Sequence, residues 1–197
     1  MPARYTDFTP DHMTPEQKTV YDDIVAGPRG RIYGPFLVLM HNPGLAPAVQ
    51  KMGAYVRWKS TVPERLKELA ICCIGRFWGA HVEFATHSVM AVKAGLDPAI
   101  VAAIEAGRRP EFTSDDETTI YEFCMTLLEK KGVDDALYAR CLAVLGERGM
   151  IDLMATFTHY STVSMTLNAF RVPAPEGYKA PSFPHGRAPA AANKGAR

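Results

Sequence analysis

The stretch PERLKELAICCIGRFWGAHVEFATHSVMAVKAGL, residues 63–96, decides the fold. Its apolar residues first recur at the spacing of one helical face: Leu66, Leu69, Ala70, Cys73 and Phe77. This pattern predicts a core helix over 63–77. Gly79 interrupts the pattern, and a second helix is predicted over 80–94, where Gly95 suits a left-handed C-terminal cap. Two consecutive helices are therefore expected here.

Helical patterns also cover most of the remaining chain. Further helices are predicted over 15–25, 36–40, 46–58, 98–106, 118–130, 134–145 and 149–170. The run from Thr113 to Glu117 is typical of a capping box at the start of the 118–130 helix. The alternation typical of strands is nowhere sustained, so the predicted fold class is all-α, with residues 1–172 as a single helical domain.

The composition changes at Pro173. Residues 173–197 contain five prolines and an alanine-rich end, a composition that fits neither a helix nor a sheet. The segment is predicted to be either a disordered tail or an arm that packs on a neighbouring subunit. Tyr178 and Phe183 are the side chains that such an arm would bury.

The overall composition limits the class of protein. The chain has 197 residues, of which 47% are hydrophobic, and a formal net charge of +1, which excludes disorder in the bulk of the chain. No apolar run approaches the roughly 18–20 residues that span a bilayer, and the N-terminus does not resemble a secretory signal. The balanced charge argues against nucleic-acid and membrane-surface partners. We therefore expect a soluble cytoplasmic protein.

The four cysteines are predicted to be structural: Cys72, Cys73, Cys124 and Cys141. No two of them have Cys-x-x-Cys spacing, and all four lie in apolar segments with helical periodicity. Cys72 and Cys73 are adjacent, so their side chains point about 100° apart on a helix. We expect small buried side chains in a reducing compartment rather than a redox centre.

Three polar residues fall where buried faces are predicted. Glu68 lies inside the apolar 63–77 helix, and Glu83 and His87 are four residues apart, hence on one face of the next helix. Two carboxylates and an imidazole that meet between the helices would form a proton-transfer set, because charge proximity and partial desolvation hold their pKa values near working pH. The alternative is an ordinary Glu–His pair on the surface.

Several runs around these residues resemble the carboxymuconolactone decarboxylase family, which includes the alkylhydroperoxidase D-like proteins. They are RLKELAI at 65–71, GAHVEFATH at 79–87, AVKAGL at 91–96, LNAFRVP at 167–173, GPF at 34–36 and HNP at 41–43. The resemblance extends over about residues 10–178 and implies an alkylhydroperoxidase D-like helical bundle.

The chain departs from the redox branch of that family. The redox pattern is Glu, eleven residues, Cys-x-x-Cys, three residues, His. Glu68 and His87 match its Glu and His, whereas Ala80 and Glu83 stand at the cysteine positions. Without a thiolate there is no peroxidatic nucleophile. The resemblance then implies the decarboxylase-like branch, with no cofactor and no metal: a carboxy-lyase that acts by proton transfer on a small carboxylated lactone or aromatic-catabolism intermediate.

Decarboxylation by proton transfer gives each of the three polar residues an expected role. Loss of CO2 leaves an enolate-like anion that must be protonated on carbon. His87 is the predicted general acid, because imidazole titrates near neutrality. Glu83 would orient and charge it, and Glu68 is a second acid/base candidate or a structural partner.

Predictions for substrate binding are less direct. A carboxylated substrate needs a cation, for which Arg31, Arg57 and Arg76 are candidates, and Arg76 is preferred because it is expected near the pocket mouth at a helix end. His159 and Trp78 are predicted to line the pocket.

Two alternatives remain open at this stage. Glu68, Glu83, His87 and His159 could hold zinc or a similar ion. The chain could also be a relative that has lost its redox cysteines and acts as a binding or assembly protein. In each case a homo-oligomer is expected, either a trimer or hexamer or a dimer.

Overall fold

The computed structural model describes residues 2–6, 9–174, 177 and 179–186. Within these ranges the regular structure is entirely helical, as predicted. After a short 3-10 helix (Pro10–His12), the α-helices are α1 (Pro15–Ala26), α2 (Phe36–Leu39), α3 (Ala46–Trp58), α4 (Glu64–Phe77), α5 (His81–Lys93), α6 (Pro98–Glu105), α7 (Asp115–Lys130) and α8 (Asp135–Phe170). None of these helices is long and apolar enough to cross a membrane.

Helix α4 forms the centre of the bundle. All residues from Leu66 to Gly75 are buried, and the helix packs against α5, α7 and α8. A helix that is surrounded on all sides can be apolar all round, which explains why the apolar residues of α4 exceed one stripe. All four cysteines are free and buried, as predicted for structural thiols.

Helix α8 is broken between the two segments that the sequence predicted as separate helices, 134–145 and 149–170. Its backbone leaves helical geometry at Gly146, where φ is 66° and ψ is 173°. A side chain is strained at this positive φ, so glycine permits the break. The second part of α8, from Gly149 onward, carries the buried residues His159 and Tyr160.

The predicted capping box at 113–117 is wrong. Ser114 is the N-cap of α7, but its hydroxyl contacts the carboxylate of Asp116 instead of the amide of Glu117. Asp116 itself accepts from the Glu117 amide at 2.7 Å. The capping box of this fold is at α1, where Thr14 Oγ1 accepts from the Gln17 amide and Gln17 Oε1 accepts from the Thr14 amide.

The described end of the proline-rich segment, residues 179–186, packs on its own chain and is called the C-terminal strap here. Phe183 is buried against Phe84, with ring centroids 5.2 Å apart. The amide of Gly186 donates to the carbonyl of Gly79 at 2.9 Å. The sequence left open a disordered tail or an arm on a neighbouring subunit. Residues 179–186 instead contact their own chain, because Phe183 packs on the apolar side of α5. Tyr178 lies outside the described residues.

Candidate active site

Helices α4 and α5 bring Glu68, Glu83 and His87 together. His87 Nδ1 lies 2.6 Å from Glu68 Oε2, and His87 Nε2 lies 2.9 Å from Glu83 Oε1. All three side chains are buried: the exposed fraction is 3% for His87, 2% for Glu68 and 8% for Glu83. The i,i+4 spacing on α5 sets the second contact, and the packing of α5 on α4 sets the first. One imidazole is thus placed between two carboxylates.

The two carboxylates determine the charge of His87. Burial by itself lowers the pKa of an imidazole, but the negative charge of Glu83 and the contacts with both carboxylates outweigh burial and raise the pKa of His87 to about 9. His87 is therefore an imidazolium at neutral pH and carries a proton on each ring nitrogen. One of these protons faces Glu68 and the other faces Glu83.

A cavity of about 310 Å³ lies beside this set. It is lined by Arg29, Arg31, Tyr33, Gly34, Pro35, Phe36, Arg57, Val82, Glu83, Thr86, His87, His159, Tyr160, Val163 and Pro173. Glu83 and His87 thus contact the space directly, whereas Glu68 lies behind His87 and does not line it. The volume is in the range of pockets that bind small organic molecules.

Three arginines give the cavity positive charge. Arg29 and Arg31 come from the loop before α2, and Arg57 comes from the end of α3. Burial alone would lower the pKa of Arg57, but the neighbouring tyrosines and carboxylates raise it. Arg29 is held in place, since its Nε donates to Gln50 Oε1 at 2.7 Å and its guanidinium lies 4.4 Å from the centre of the Phe36 ring. A bound anion would meet these cations.

Two further contacts fix α3 relative to its neighbours. Asp152 of α8 accepts from the Tyr55 hydroxyl at 2.8 Å and from the amide and hydroxyl of Thr61 at 2.7 and 2.8 Å. Lys67 of α4 donates to the carbonyl of Arg57 at 3.1 Å. These hydrogen bonds hold the segment that carries Arg57 against the two helices that supply the rest of the site.

His159 and Tyr160 complete the cavity wall from α8. Burial lowers the pKa of His159 to about 4 and raises the pKa of Tyr160 well above its ordinary value, so both side chains are neutral at pH 7. The Tyr160 ring lies 4.8 Å from that of His87 and 5.1 Å from that of His159. Gly53 makes room for His159, since a Cβ there would lie 2.7 Å from the imidazole Cε1.

Arg76 and Trp78, predicted to bind substrate, do not line the cavity. Arg76 lies on the other side of the helix end, where its Nε donates to the Glu105 carbonyl at 2.9 Å and its guanidinium lies 4.6 Å from the Phe183 ring centre. Trp78 packs edge-on against Phe77 at 5.5 Å. The expectation that the end of α4 lies at the pocket mouth is corrected, because the C-terminal strap and α6 cover that end.

Sequence reasoning missed Arg29, Tyr33 and the role of Tyr160, while Arg57 and Arg31 were named only as alternatives. The loop that carries Arg29 and Tyr33 lies far from α5 in the sequence, and no periodicity connects the two. The only local signal is the RGRIYG run at 29–34, where cations and an aromatic residue occur between glycines.

The described residues that line the cavity supply no thiol and no grouped set of metal ligands. The described lining residues include no cysteine, and burial raises the pKa of Cys73 to about 12 and that of Cys141 to about 11. Among the residues that the structure describes, no three His, Cys, Asp or Glu side chains are grouped so that they could hold a metal ion. Both nitrogens of His87 face carboxylates, at 2.6 Å from Glu68 and 2.9 Å from Glu83.

Comparison with solved structures identifies the architecture. An uncharacterized peroxidase-related protein from Ralstonia eutropha JMP134, described as an alkylhydroperoxidase AhpD core, superposes with a TM-score of 0.72 at 12% identity, over 96% of this chain and 100% of that one. The fold is AhpD-like. This confirms the fold predicted from the sequence. No protein-family model matches the chain, and no curated protein matches it.

Two other AhpD-like neighbours show the range of this fold. A cysteine-to-alanine variant of the debrominase Bmp8, in complex with 2,3,4-tribromopyrrole, has a TM-score of 0.68 at 15% identity over 89% of this chain and 95% of that one. A peroxidase-related protein from Silicibacter sp. TM1040 has a TM-score of 0.68 at 11% identity over 90% and 94%. The AhpD-like fold therefore includes enzymes, and the chemistry of this chain must be argued from its own site.

Proposed function

We propose that the AhpD-like cavity is the active site of a cofactor-independent carboxy-lyase that acts by proton transfer on a small carboxylated lactone or aromatic-catabolism intermediate. The observation that carries the proposal is the buried Glu68–His87–Glu83 set at the wall of a cavity with three arginines. Such a site offers charge for an anionic substrate and a proton for the carbanion that remains after CO2 leaves.

The arginines supply the first part of this chemistry. Decarboxylation moves negative charge from the carboxylate onto the carbonyl oxygen of an enolate, and cations fixed in advance favour that charge. Arg57 is the best placed of them, because the Asp152 and Lys67 hydrogen bonds fix its segment. Arg29 and Arg31, from the loop over the cavity, would bind a carboxylate that the substrate retains.

His87 and the two glutamates supply the second part. The reaction consumes one proton, and His87 holds one at Nε2 beside Glu83, at the cavity wall. In the proposal this proton passes to the enolate carbon and is replaced from solvent. Glu68 stabilises the imidazolium from behind without touching substrate. We propose His159 as a substrate-binding residue, since its neutral imidazole faces the same space.

The neighbours support a ring-sized substrate. The variant of Bmp8 is described with a single-ring compound bound, and the cavity here has a volume suited to one ring with small substituents. A thiol peroxidase is not proposed, because Ala80 and Glu83 stand where that activity requires cysteines and none of the described cavity residues is a cysteine.

The test is CO2 release from a panel of carboxylated γ-lactones that includes 4-carboxymuconolactone. We expect turnover by the wild-type chain and a loss of at least about 100-fold in kcat for His87→Gln, the size that a general acid contributes. Glu147→Gln, an exposed carboxylate of α8 directly after the break at Gly146, is the matched control and should remain active.

Far-UV circular dichroism at the assay temperature separates lost chemistry from lost fold. Undiminished turnover by folded His87→Gln would reject the proposed role. Binding of the lactones by the wild-type chain without any CO2 release would instead favour the alternative, a binding protein that retains the fold.

A further inference from the structure

We infer that the same cavity catalyses reversible proton exchange, and with it double-bond isomerisation, at the carbon next to the carbonyl of a small unsaturated lactone that has no carboxylate to lose. Glu83 is the base and Tyr160 is the donor to the oxyanion. This inference rests on the proposed function, because it uses the same site, but it names a different reaction with its own readout.

Glu83 is the base because of its position. It is the only carboxylate among the described residues that line the cavity, and its side chain retains 8% exposure there. His87 contacts it at 2.9 Å from the adjacent turn of α5. A carboxylate at the wall of a cavity can act as a general base toward a C–H group of a bound molecule.

Tyr160 and His159 stabilise the oxyanion as neutral donors. Both side chains line the cavity on the α8 side, and the Tyr160 ring packs edge-on against both imidazoles, 4.8 Å from His87 and 5.1 Å from His159. Burial keeps the phenol protonated, so it presents an O–H group. A fixed O–H donor in a secluded site favours an enolate oxygen over a neutral carbonyl oxygen, because the charge on the accepting oxygen increases.

The reaction balances without a co-reactant. The Glu83 carboxylate takes a proton from the carbon next to the carbonyl, the C–H electron pair forms a carbon–carbon double bond, and the carbonyl electron pair moves onto the oxygen that Tyr160 contacts. The proton then returns from Glu83 either to the same carbon or to the far end of the conjugated system. Before the return, the Glu83 carboxyl exchanges its proton with solvent. Return to the same carbon then leaves a solvent hydrogen there, and return to the far end moves the double bond.

The experiment uses α-angelica lactone in D2O, with proton NMR to follow loss of the ring CH2 signal next to the carbonyl and formation of the conjugated isomer. We expect exchange by the wild-type chain well above the buffer rate. Glu83→Gln should reduce the enzymatic rate by about 100-fold or more, and Tyr160→Phe by about 10- to 1,000-fold. Glu147→Gln should leave the rate unchanged.

The readouts keep the two proposals apart. Exchange no faster than in buffer, or unchanged by folded Glu83→Gln, overturns the inference, and CO2 release from the carboxylated panel then still decides the proposed function. Exchange without CO2 release supports the inference and contradicts the carboxy-lyase. If Glu83→Gln does not fold, Glu83→Asp replaces it: a carboxylate withdrawn by one methylene should slow the exchange, and an unchanged rate would again overturn the inference.

Discussion

His87 Nδ1 lies 2.6 Å from Glu68 Oε2, although the two residues are on different helices and both side chains are almost fully buried. An isolated charge at this depth would be strongly unfavourable, and breaking a buried pair leaves the other charge uncompensated. The contact therefore couples the packing of α4 on α5 to the charge of the cavity wall.

Replacing Glu68 with Gln should lower the pKa of His87. The value of about 9 depends on both carboxylates against the opposing effect of burial, so removal of one charge should move it down toward or below 6.5. The measurement is a titration of the His87 ring proton by NMR. Glu147→Gln should leave the midpoint where it is. An unchanged midpoint in Glu68→Gln would show that Glu83 alone sets the charge.

The stability of the protein should depend on the charge of His87. The folded-state pKa of about 9 lies above the ordinary value of 6.5, so the stabilisation is fully present below about pH 6.5 and is lost as the pH rises through 9. Urea unfolding of the wild type and of His87→Gln across this window measures it. The difference in free energy of unfolding should be a few kcal/mol at pH 6 and should shrink toward pH 9.5.

Comparison with the variant is essential here, because buried thiols and phenols also titrate near pH 9 and above in the unfolded chain. These groups are present in both proteins and cancel in the difference. Parallel stability curves for wild type and His87→Gln would show that the ion pairs do not hold the imidazolium in the folded state.

Gly53→Ala should distort the site through His159. The added Cβ would lie 2.7 Å from His159 Cε1 and 2.8 Å from Nε2, so the imidazole, which lines the cavity, must move. We expect a loss of about 1–3 kcal/mol in the free energy of unfolding, typical of overpacking. Gly132→Ala, where a Cβ meets no atom within 4 Å, is the control and should change stability little.

A double variant separates steric from backbone effects. In a His159→Ala background the Gly53→Ala change should cost markedly less, because the contact that it violates is absent. If Gly53→Ala lowers the free energy of unfolding equally in both backgrounds, the loss arises from the backbone of α3 and not from the contact with the imidazole.

Phe183→Ala should release the C-terminal strap. Phe183 is 5% exposed and contacts Phe84, His81 and Arg76. Without the ring, the strap loses its apolar contact and the hydrogen bond from Gly186 to Gly79 should open more often. Hydrogen exchange measured by mass spectrometry should increase by at least roughly tenfold over 179–186. Lys179→Ala, an exposed position of the strap, should not change it.

The chain should assemble with copies of itself. Helix α8 exposes Ile151 at 70% and also Met154 and Met165, an unusual amount of apolar surface for one helix face. Light scattering should give the mass of a dimer, trimer or hexamer, and Ile151→Asp should shift it toward the monomer. A monomer mass for the wild type at micromolar concentration would contradict this expectation.

The sequence predicted those features that depend on local spacing. Helical periodicity placed α4 and α5, and the i,i+4 relation put Glu83 beside His87. The meeting with Glu68 was predicted from its position as a polar residue inside the apolar pattern of the preceding helix, and the resemblance agreed with it. The break at Gly146 was also visible, as an interruption between two helical patterns.

The sequence did not predict which arginines and tyrosines reach the cavity, because that depends on the path that loops and helix ends take across the bundle. Arg76 was expected at the cavity because it lies near the end of α4, yet no α4 residue is among the described cavity residues, and Arg76 contacts the strap and α6 instead. Arg29 and Tyr33 reach the cavity only because their loop crosses it. No local sequence pattern predicts the path of a loop. The neutral state of His159 also depends on its burial, which the sequence does not give.

The break at Gly146 separates α8 into two parts with different neighbours. Only the part after it carries His159 and Tyr160 to the cavity, while the part before it, which carries Leu137 and Cys141, packs near α7. A rigid rod of 36 residues would transmit any tilt at one end to the other. Because the break at Gly146 lets the two parts of α8 follow different axes, the part before it offers an attachment point for labels or fusion partners away from the residues that line the cavity.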